Sequence, residues 1–130
     1  MIVSSDIANI LYRDCTVFGI DRVPDGEILV GELKTERIVI HAKKQSPGTY
    51  WKKGFVEVNL CVPDRSKNSA NSIRLGELER QAQTILDDVV SSYDGTTYRY
   101  GISSIGRESD AGLKCHYVNV RILFEILNVK

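Results

Sequence analysis

Apolar and polar residues alternate along nearly the whole segment from His116 to Leu127 (HYVNVRILFEIL). The even positions from Val118 to Ile126 are apolar, and the facing odd positions are polar except at Leu123 and Leu127. Because successive side chains of a strand point to opposite faces, this pattern predicts a long β-strand with one core face and one partly exposed face. The segment Val56 to Val62 (VEVNLCV) repeats the pattern, so we expect both strands in one antiparallel sheet.

Apolar residues at helical spacing mark two helices. The first is predicted from about Ser5 to Cys15, preceded by Ser4, with Asp6 among the side chains that can cap its start. The second is predicted from Leu75 to Tyr93, since its apolar residues recur on one helical face. These residues are Leu75, Leu78, Ala82, Ile85, Leu86, Val89 and Tyr93.

The remaining chain divides into short strands and polar connectors. Strand composition is present at Glu27 to Val30, Arg37 to His41 and Thr96 to Ser103. Turn residues and charge predict connectors at Ala42 to Gly54, Pro63 to Ser72 and Gly106 to Lys114. Together these elements predict an α+β fold, a mostly antiparallel β-sheet packed with two amphipathic helices, in a single domain over residues 1–130.

Charge, cysteine count and hydropathy narrow the functional classes. The formal net charge is zero, which argues against a strong general attraction to nucleic acid or anionic lipid. Three cysteines without CxxC spacing indicate neither a disulfide framework nor a zinc knuckle. No apolar segment approaches the roughly 18 residues of a membrane span, and no signal peptide is evident, so we expect a soluble, unexported chain.

Histidine and cysteine offer little catalytic or metal chemistry. His41 and His116 are the two histidines, and Cys115 precedes His116 directly. Adjacent residues of a strand point to opposite faces, so this neighbourhood does not predict a thiol and base pair. A metal site built from Cys61, Cys115 and a histidine would require a favourable strand register.

Two further motifs also lack the residues that their chemistry needs. The glycines at Gly101 and Gly106 have phosphate-loop spacing, but Arg107 and Glu108 replace the required Lys and Ser/Thr. Asp87 and Asp88 are adjacent on the predicted helix and diverge by about 100°. We therefore expect no enzyme, no catalytic residue, no cofactor and no metal.

Concentrated positive charge occurs in the connector from Ala42 to Gly54, where two lysine pairs flank aromatic residues. Such a mixture can contact phosphate and stack a base, but one short patch in a neutral protein is a poor nucleic-acid footprint. A protein interface is the preferred interpretation, with the connector from Gly106 to Lys114 as a second part. The candidate interface residues are Lys43, Lys44, Tyr50, Trp51, Lys52, Lys53, Arg107 and Glu108.

The order of the elements resembles the tail-completion and tail-terminator proteins of long-tailed bacteriophages. It runs helix, short strands, VEVNLCVP, a polar connector, an LxxLExxAxxIL helix and a closing pair that ends in HYVNVRILFEI. The resemblance covers Ser5 to Leu127 and rests on the element pattern. It implies a small α+β protein of the virion tail, present in the host cytoplasm during assembly, that forms a ring, commonly hexameric. That ring closes the tail tube and presents the surface to which the head-tail connector joins.

Three alternatives remain open from the sequence. A head-tail joining protein of the neck has a similar size and also assembles into a ring. An unrelated α+β ligand-binding or enzymatic domain would be favoured by a pocket with convergent polar groups. An RNA-binding sheet is the third, although the strands carry no aromatic pair in the expected stacking motif.

Overall fold

A computed structural model describes residues 1–48, 50–66 and 69–127. Within these ranges, two α-helices and six strands follow one another: a helix, three strands, a second helix and three more strands. The helices are α1 (Ser4–Asp14) and α2 (Ser72–Ile85), and a 3₁₀ turn at Cys15–Phe18 continues α1. The strands are β1 (Asp21–Arg22), β2 (Arg37–Ser46), β3 (Trp51–Pro63), β4 (Val89–Tyr93), β5 (Thr96–Asp110) and β6 (Cys115–Leu127).

All six strands form one sheet in the order β1-β2-β3-β6-β5-β4. β1 and β2 are parallel, and every other neighbouring pair is antiparallel. The expected pairing of the two alternating segments is confirmed, because β3 and β6 lie side by side with Val58 opposite Val120. The predicted α+β fold with a mostly antiparallel sheet is therefore confirmed.

The core lies between one face of this sheet and the two helices. The even-numbered residues of β6 from Val118 to Ile126 are buried, as are Val56, Val58, Leu60 and Val62 of β3. α1 packs against β2 and β3, while α2 packs against β6 and β5. Apolar residues on both helices face the strands: Ile7, Ile10, Leu11, Leu75, Leu78 and Ala82. We call this side of the sheet the core face and the other side the open face.

Local hydrogen bonds define where each helix begins. The Val3 backbone N–H donates to Asp6 Oδ2 at 2.9 Å, which supports the predicted capping role of this segment. At α2 the Arg74 backbone N–H donates to Asn71 Oδ1 at 3.3 Å. Arg74 also forms an ion pair with Glu36 at 2.7 Å, which ties the start of α2 to the residue before β2.

The predicted second helix is too long at its C-terminal end. α2 ends at Ile85, and Val89 to Tyr93 form β4 instead of further helical turns. Asp88, between them, has φ +53°, a left-handed conformation that no α-helix contains. Val89 and Tyr93 still pack against the core, so burial alone had produced the helical spacing. Asp87 and Asp88 therefore lie in a connector and not on a helix.

Three boundaries elsewhere differ from the sequence predictions. Glu27 to Val30 is irregular, and the strand nearby is the two-residue β1. The segments Ala42 to Gly54 and Gly106 to Lys114 are mostly strand, because β2, β3 and β5 extend into them and leave short turns. Both segments are polar because many of their side chains lie on the open face or at sheet edges. Strand residues in these places contact solvent, so their composition resembles that of a loop. No helix within the described ranges is both long and apolar enough to cross a membrane.

Candidate interface site

The connector from Ala42 to Gly54, predicted as part of a protein interface, forms the end of the β2–β3 hairpin. Lys43 and Lys44 lie on β2, at a bulge where the register shifts between Ala42 and Gln45. Tyr50 lies in the turn with 74% of its surface exposed. Trp51, Lys52 and Lys53 lie on β3, and Thr49 is outside the described residues.

Three of the four lysines have partners, and two of these partners are acids, although the segment from Ala42 to Gly54 itself contains no acidic residue. Lys43 Nζ is 3.6 Å from Glu57 Oε2, and Lys53 Nζ is 3.5 Å from Glu125 Oε2. Lys52 Nζ donates to the carbonyl oxygen of Ile2 at 2.8 Å and so ties the hairpin to the N-terminus. The acids come from elsewhere in the chain, so inspection of the segment alone could not find them.

Lys44 differs from the other three lysines. Its side chain has no hydrogen-bond or ion-pair partner among the described residues, and the residue is exposed. It is therefore the lysine whose charge is most available to another molecule.

Arg107 and Glu108 lie at the opposite end of the sheet from the hairpin. Arg107 is opposite Val118 of β6, whereas Trp51 is opposite Leu127. Nine residues of strand separate these two levels, which is roughly 30 Å at about 3.3 Å per residue. Within one protomer the structure does not bring the two parts of the predicted interface together. Glu108 instead accepts a hydrogen bond from the Tyr117 hydroxyl at 2.8 Å.

A polar network crosses the middle of the open face. Asn119 Nδ2 donates to Glu57 Oε1 and to Asn59 Oδ1, both at 2.8 Å. The bond from Asn119, together with the charge of Lys43, lowers the pKa of Glu57 below its ordinary value despite some desolvation. The network places polar groups across the middle of the open face and fixes the orientation of these side chains.

Apolar side chains and arginines occupy the hairpin end of the open face. Phe55 lies opposite Leu123, and the Arg121 guanidinium carbon is 3.9 Å from the centroid of the Phe55 ring. The Arg99 guanidinium carbon lies 4.0 Å from the centroid of the Trp51 ring. Arginine stacked on an aromatic ring is frequent at protein interfaces, where it joins charge to apolar area.

Glu125 connects these features, because its carboxylate is shared by two cations. Arg99 Nη2 is 3.1 Å and Lys53 Nζ is 3.5 Å from the same oxygen, Glu125 Oε2. Sequence reasoning missed Arg99, Arg121 and Glu125 as parts of the candidate site. Alternation along β6 assigns Arg121 and Glu125 to its more polar face, but only the strand register aligns them and Arg99 with the hairpin.

The cysteine side chains are buried. Cys61 and Cys115 contact Leu33 in a small cluster beneath the segment that precedes β2. Desolvation raises the pKa of Cys61 to about 12 and that of Cys115 to about 11. Both thiols are therefore protonated near neutral pH and are poor nucleophiles.

His116 lies on the opposite strand face from Cys115 and pairs with Asp64, with Nδ1 and Oδ1 2.7 Å apart. A solvent-open cleft of about 610 Å³ adjoins this pair, and Arg65 and Lys114 also line it. The described ranges contain no group of three His, Cys, Asp or Glu side chains that could hold a metal ion. The cleft is thus a polar surface depression in which the histidine and the carboxylate already satisfy each other.

Comparison with known proteins adds no family assignment. No protein-family model matches the chain, and no curated protein matches its sequence.

Proposed function

We propose that this protein is a non-enzymatic structural protein of a phage or prophage that closes the tail tube as a ring and forms the head-tail joining surface. The proposal starts from the resemblance in element order, which the α+β architecture supports. In this account the protein acts as part of the virion tail and is present in the host cytoplasm during assembly. Its partners are further copies of itself, the tail-tube protein and the head-tail connector.

The observation that carries the proposal is the distribution of free surfaces around the sheet. A subunit in a ring between a tube and a connector needs two side contacts and two end contacts. The β2–β3 and β5–β6 hairpins turn at opposite ends of the sheet, because β3 and β6 run antiparallel along their full lengths. The two sides of the sheet also expose long strand edges, since β1 and β4 are short. One small domain therefore offers the four directions of contact that the role requires.

The open face supports a protein partner more than nucleic acid. Trp51, Phe55, Leu123 and Leu127 are half-buried there, and each of the two rings is already covered by an arginine. Glu57 and Glu125 also lie on this face, where they would repel a phosphate backbone. A protein neighbour can bury the apolar residues and match both signs of charge.

A gene deletion tests the proposal directly. Removing this gene from the phage or prophage should leave heads and tails that do not join, and supplying the protein from a plasmid should restore joined particles. Electron microscopy and plaque counts measure the outcome. Normal virions without the gene would contradict the proposal.

A neck protein is the alternative in the same setting, and the same mutant preparations distinguish it. A tail terminator should copurify with tails from a mutant that makes no heads. A neck protein should instead copurify with heads from a mutant that makes no tails.

A ligand-binding domain is the alternative from another class, and the 610 Å³ cleft beside Asp64 and His116 is the observation that favours it. His116→Ala should leave particle assembly intact if the protein is structural. Loss of function with normal assembly and stability would favour the ligand-binding alternative.

A further inference from the structure

We propose that neighbouring copies join edge to edge, with β2 of one protomer pairing with β5 of the next, so that the sheet continues around the ring. This inference rests on the proposed ring and specifies the surface that forms it. Two opposite edges of one sheet carry the argument.

The first edge is formed by residues 40–46 of β2, which we call the basic edge. β1 pairs only with Arg37 and Ile38, so the rest of the outer side of β2 has no strand partner among the described residues. The Ile38 carbonyl accepts a hydrogen bond from Val23 N–H at 2.8 Å, which shows that its backbone groups point outward. By the two-residue repeat of a strand, the backbone groups of Ile40 and Ala42 point outward as well.

The second edge is formed by residues 103–110 of β5, which we call the acidic edge. β4 pairs with β5 only between Thr96 and Tyr100. The next outward N–H, that of Ile102, donates to Asp87 Oδ1 at 2.9 Å, so the free edge begins after it. Described residues supply no strand on the outer side of β5 beyond that point.

The two edges carry complementary charge. The basic edge contains Lys43 and Lys44 and no acidic residue, and the Lys44 side chain has no partner in the described structure. The acidic edge contains Glu108 and Asp110 against the single cation Arg107. Because both edges belong to the same chain, this complementarity identifies a second copy as the occupant.

Strand directions also suit the contact. β2 and β6 are both antiparallel to β3, and β5 is antiparallel to β6, so β2 and β5 run in opposite directions. A rotation about an axis close to the strand direction preserves those directions in the next copy. β2 and β5 of neighbours would then meet as an antiparallel pair. Such a contact joins two different surfaces and is therefore heterologous. Heterologous contacts close into a ring when the rotation from one subunit to the next is a whole fraction of 360°.

A competing explanation exists for the same features. Lysines and bulges on an exposed edge also prevent strand pairing between monomers. Both edges carry a bulge, at Ala42 to Gln45 and at Ile102 to Ser104. Ring subunits need the same protection until the correct partner arrives, so the experiment must separate specific pairing from simple repulsion.

The experiment measures particle mass by light scattering and native mass spectrometry, in solution and on purified tails, for Lys44→Glu and Glu108→Lys. In each variant alone, residues 44 and 108 of neighbouring copies carry like charges, so the variant should associate at least roughly tenfold more weakly than wild type. An equimolar mixture should regain the ring, because alternating subunits place opposite charges at every junction. The double variant K44E/E108K should also regain it.

Controls separate edge charge from other effects. Arg80→Glu reverses an exposed charge on α2, away from both edges, and should leave the ring unchanged. Tyr117→Phe removes the hydroxyl bond to Glu108 without changing charge, and it should also form rings. Ala42→Pro removes one outward N–H and should prevent rings while the monomer still melts cooperatively.

The outcomes distinguish the two proposals. A wild-type ring that survives both charge reversals and Ala42→Pro would overturn the edge contact and leave the proposed function standing. Failure of the mixture to regain the ring lost by the single variants would also overturn it. A wild-type protein that is monomeric in solution and absent from tails would overturn both proposals.

Discussion

Lys53→Glu would place a second carboxylate beside Glu125 and would test the charge network at the hairpin end of the open face. In the native structure Lys53 Nζ is 3.5 Å from Glu125 Oε2, and Arg99 Nη2 is 3.1 Å from the same oxygen. The Lys53 side chain is 55% exposed, and the Glu125 side chain is only 14% exposed. The variant loses one of the two cations at this carboxylate and adds a repulsion.

The size of the effect follows from the exposure of both groups. An exposed ion pair contributes about 0–1 kcal/mol, and a like-charge pair at about 4 Å costs about 1 kcal/mol in water. Lys53→Glu should therefore lower the free energy of unfolding by about 1–2 kcal/mol. For a domain of this size that corresponds to a fall in Tm of roughly 4–7 °C. Urea unfolding and a thermal melt would each measure it.

Two matched variants isolate the cause. Lys44→Glu makes the same charge change at a lysine without a described partner, so its effect should remain within about 0.5 kcal/mol. In a Glu125→Gln background the cost of Lys53→Glu should fall to less than half, because the repulsion is absent. An equal cost in both backgrounds would refute the assignment of the effect to Glu125. A Lys53→Glu variant as stable as wild type would refute the network itself.

Three further predictions concern the core and the buried groups. Phe124→Ala should lower the free energy of unfolding in urea by about 3–5 kcal/mol, because Phe124 is fully buried. Its ring centroid lies 5.2 Å from that of Tyr98 and 5.7 Å from that of Tyr100. A loss below about 1 kcal/mol would contradict this packing. Tyr100→Phe should lower the free energy of unfolding by about 1.5–3 kcal/mol in the same assay, because the Tyr100 hydroxyl donates to an Asp14 carboxylate oxygen at 2.6 Å. An unchanged stability would mean that this hydrogen bond is absent in solution. Burial raises the pKa of Cys15 from 9.0 to about 12, so folding stability should fall as pH rises from about 9 toward 12, where the unfolded thiol ionises first. Urea titrations of wild type and Cys15→Ala across this range check the prediction, and equal pH slopes would contradict it.

The alternation of apolar and polar residues was the sequence signal that predicted most of the fold. In β3 and β6 it predicted both the buried faces and the pairing, because two long strands with one apolar face each have few other ways to bury them. Helical spacing also located α1 and the start of the second helix near Leu75. It failed after Ile85, because Val89 and Tyr93 are partly buried strand residues that happen to continue the helical repeat.

The candidate site was less accessible to sequence reasoning. The predicted connector from Ala42 to Gly54 does contain the reversal between β2 and β3, but its lysines belong to paired strands whose polar character resembles that of a loop. Glu57, the partner of Lys43, lies on the neighbouring strand β3, and Glu125, the partner of Lys53, lies far away in sequence on β6. Register decides which charges meet, and neither hydrophobic pattern nor composition determines register across four strands.

The location and copy number of the protein on purified tails decide whether it closes the tail tube as a ring. Gold labelling of a tagged chain, combined with electron microscopy, would measure both on tails from a mutant that makes no heads. We expect a closed ring of several copies at the end of the tail that joins the head, and nowhere else. Label distributed along the tube, or tails that carry none of the protein, would contradict it.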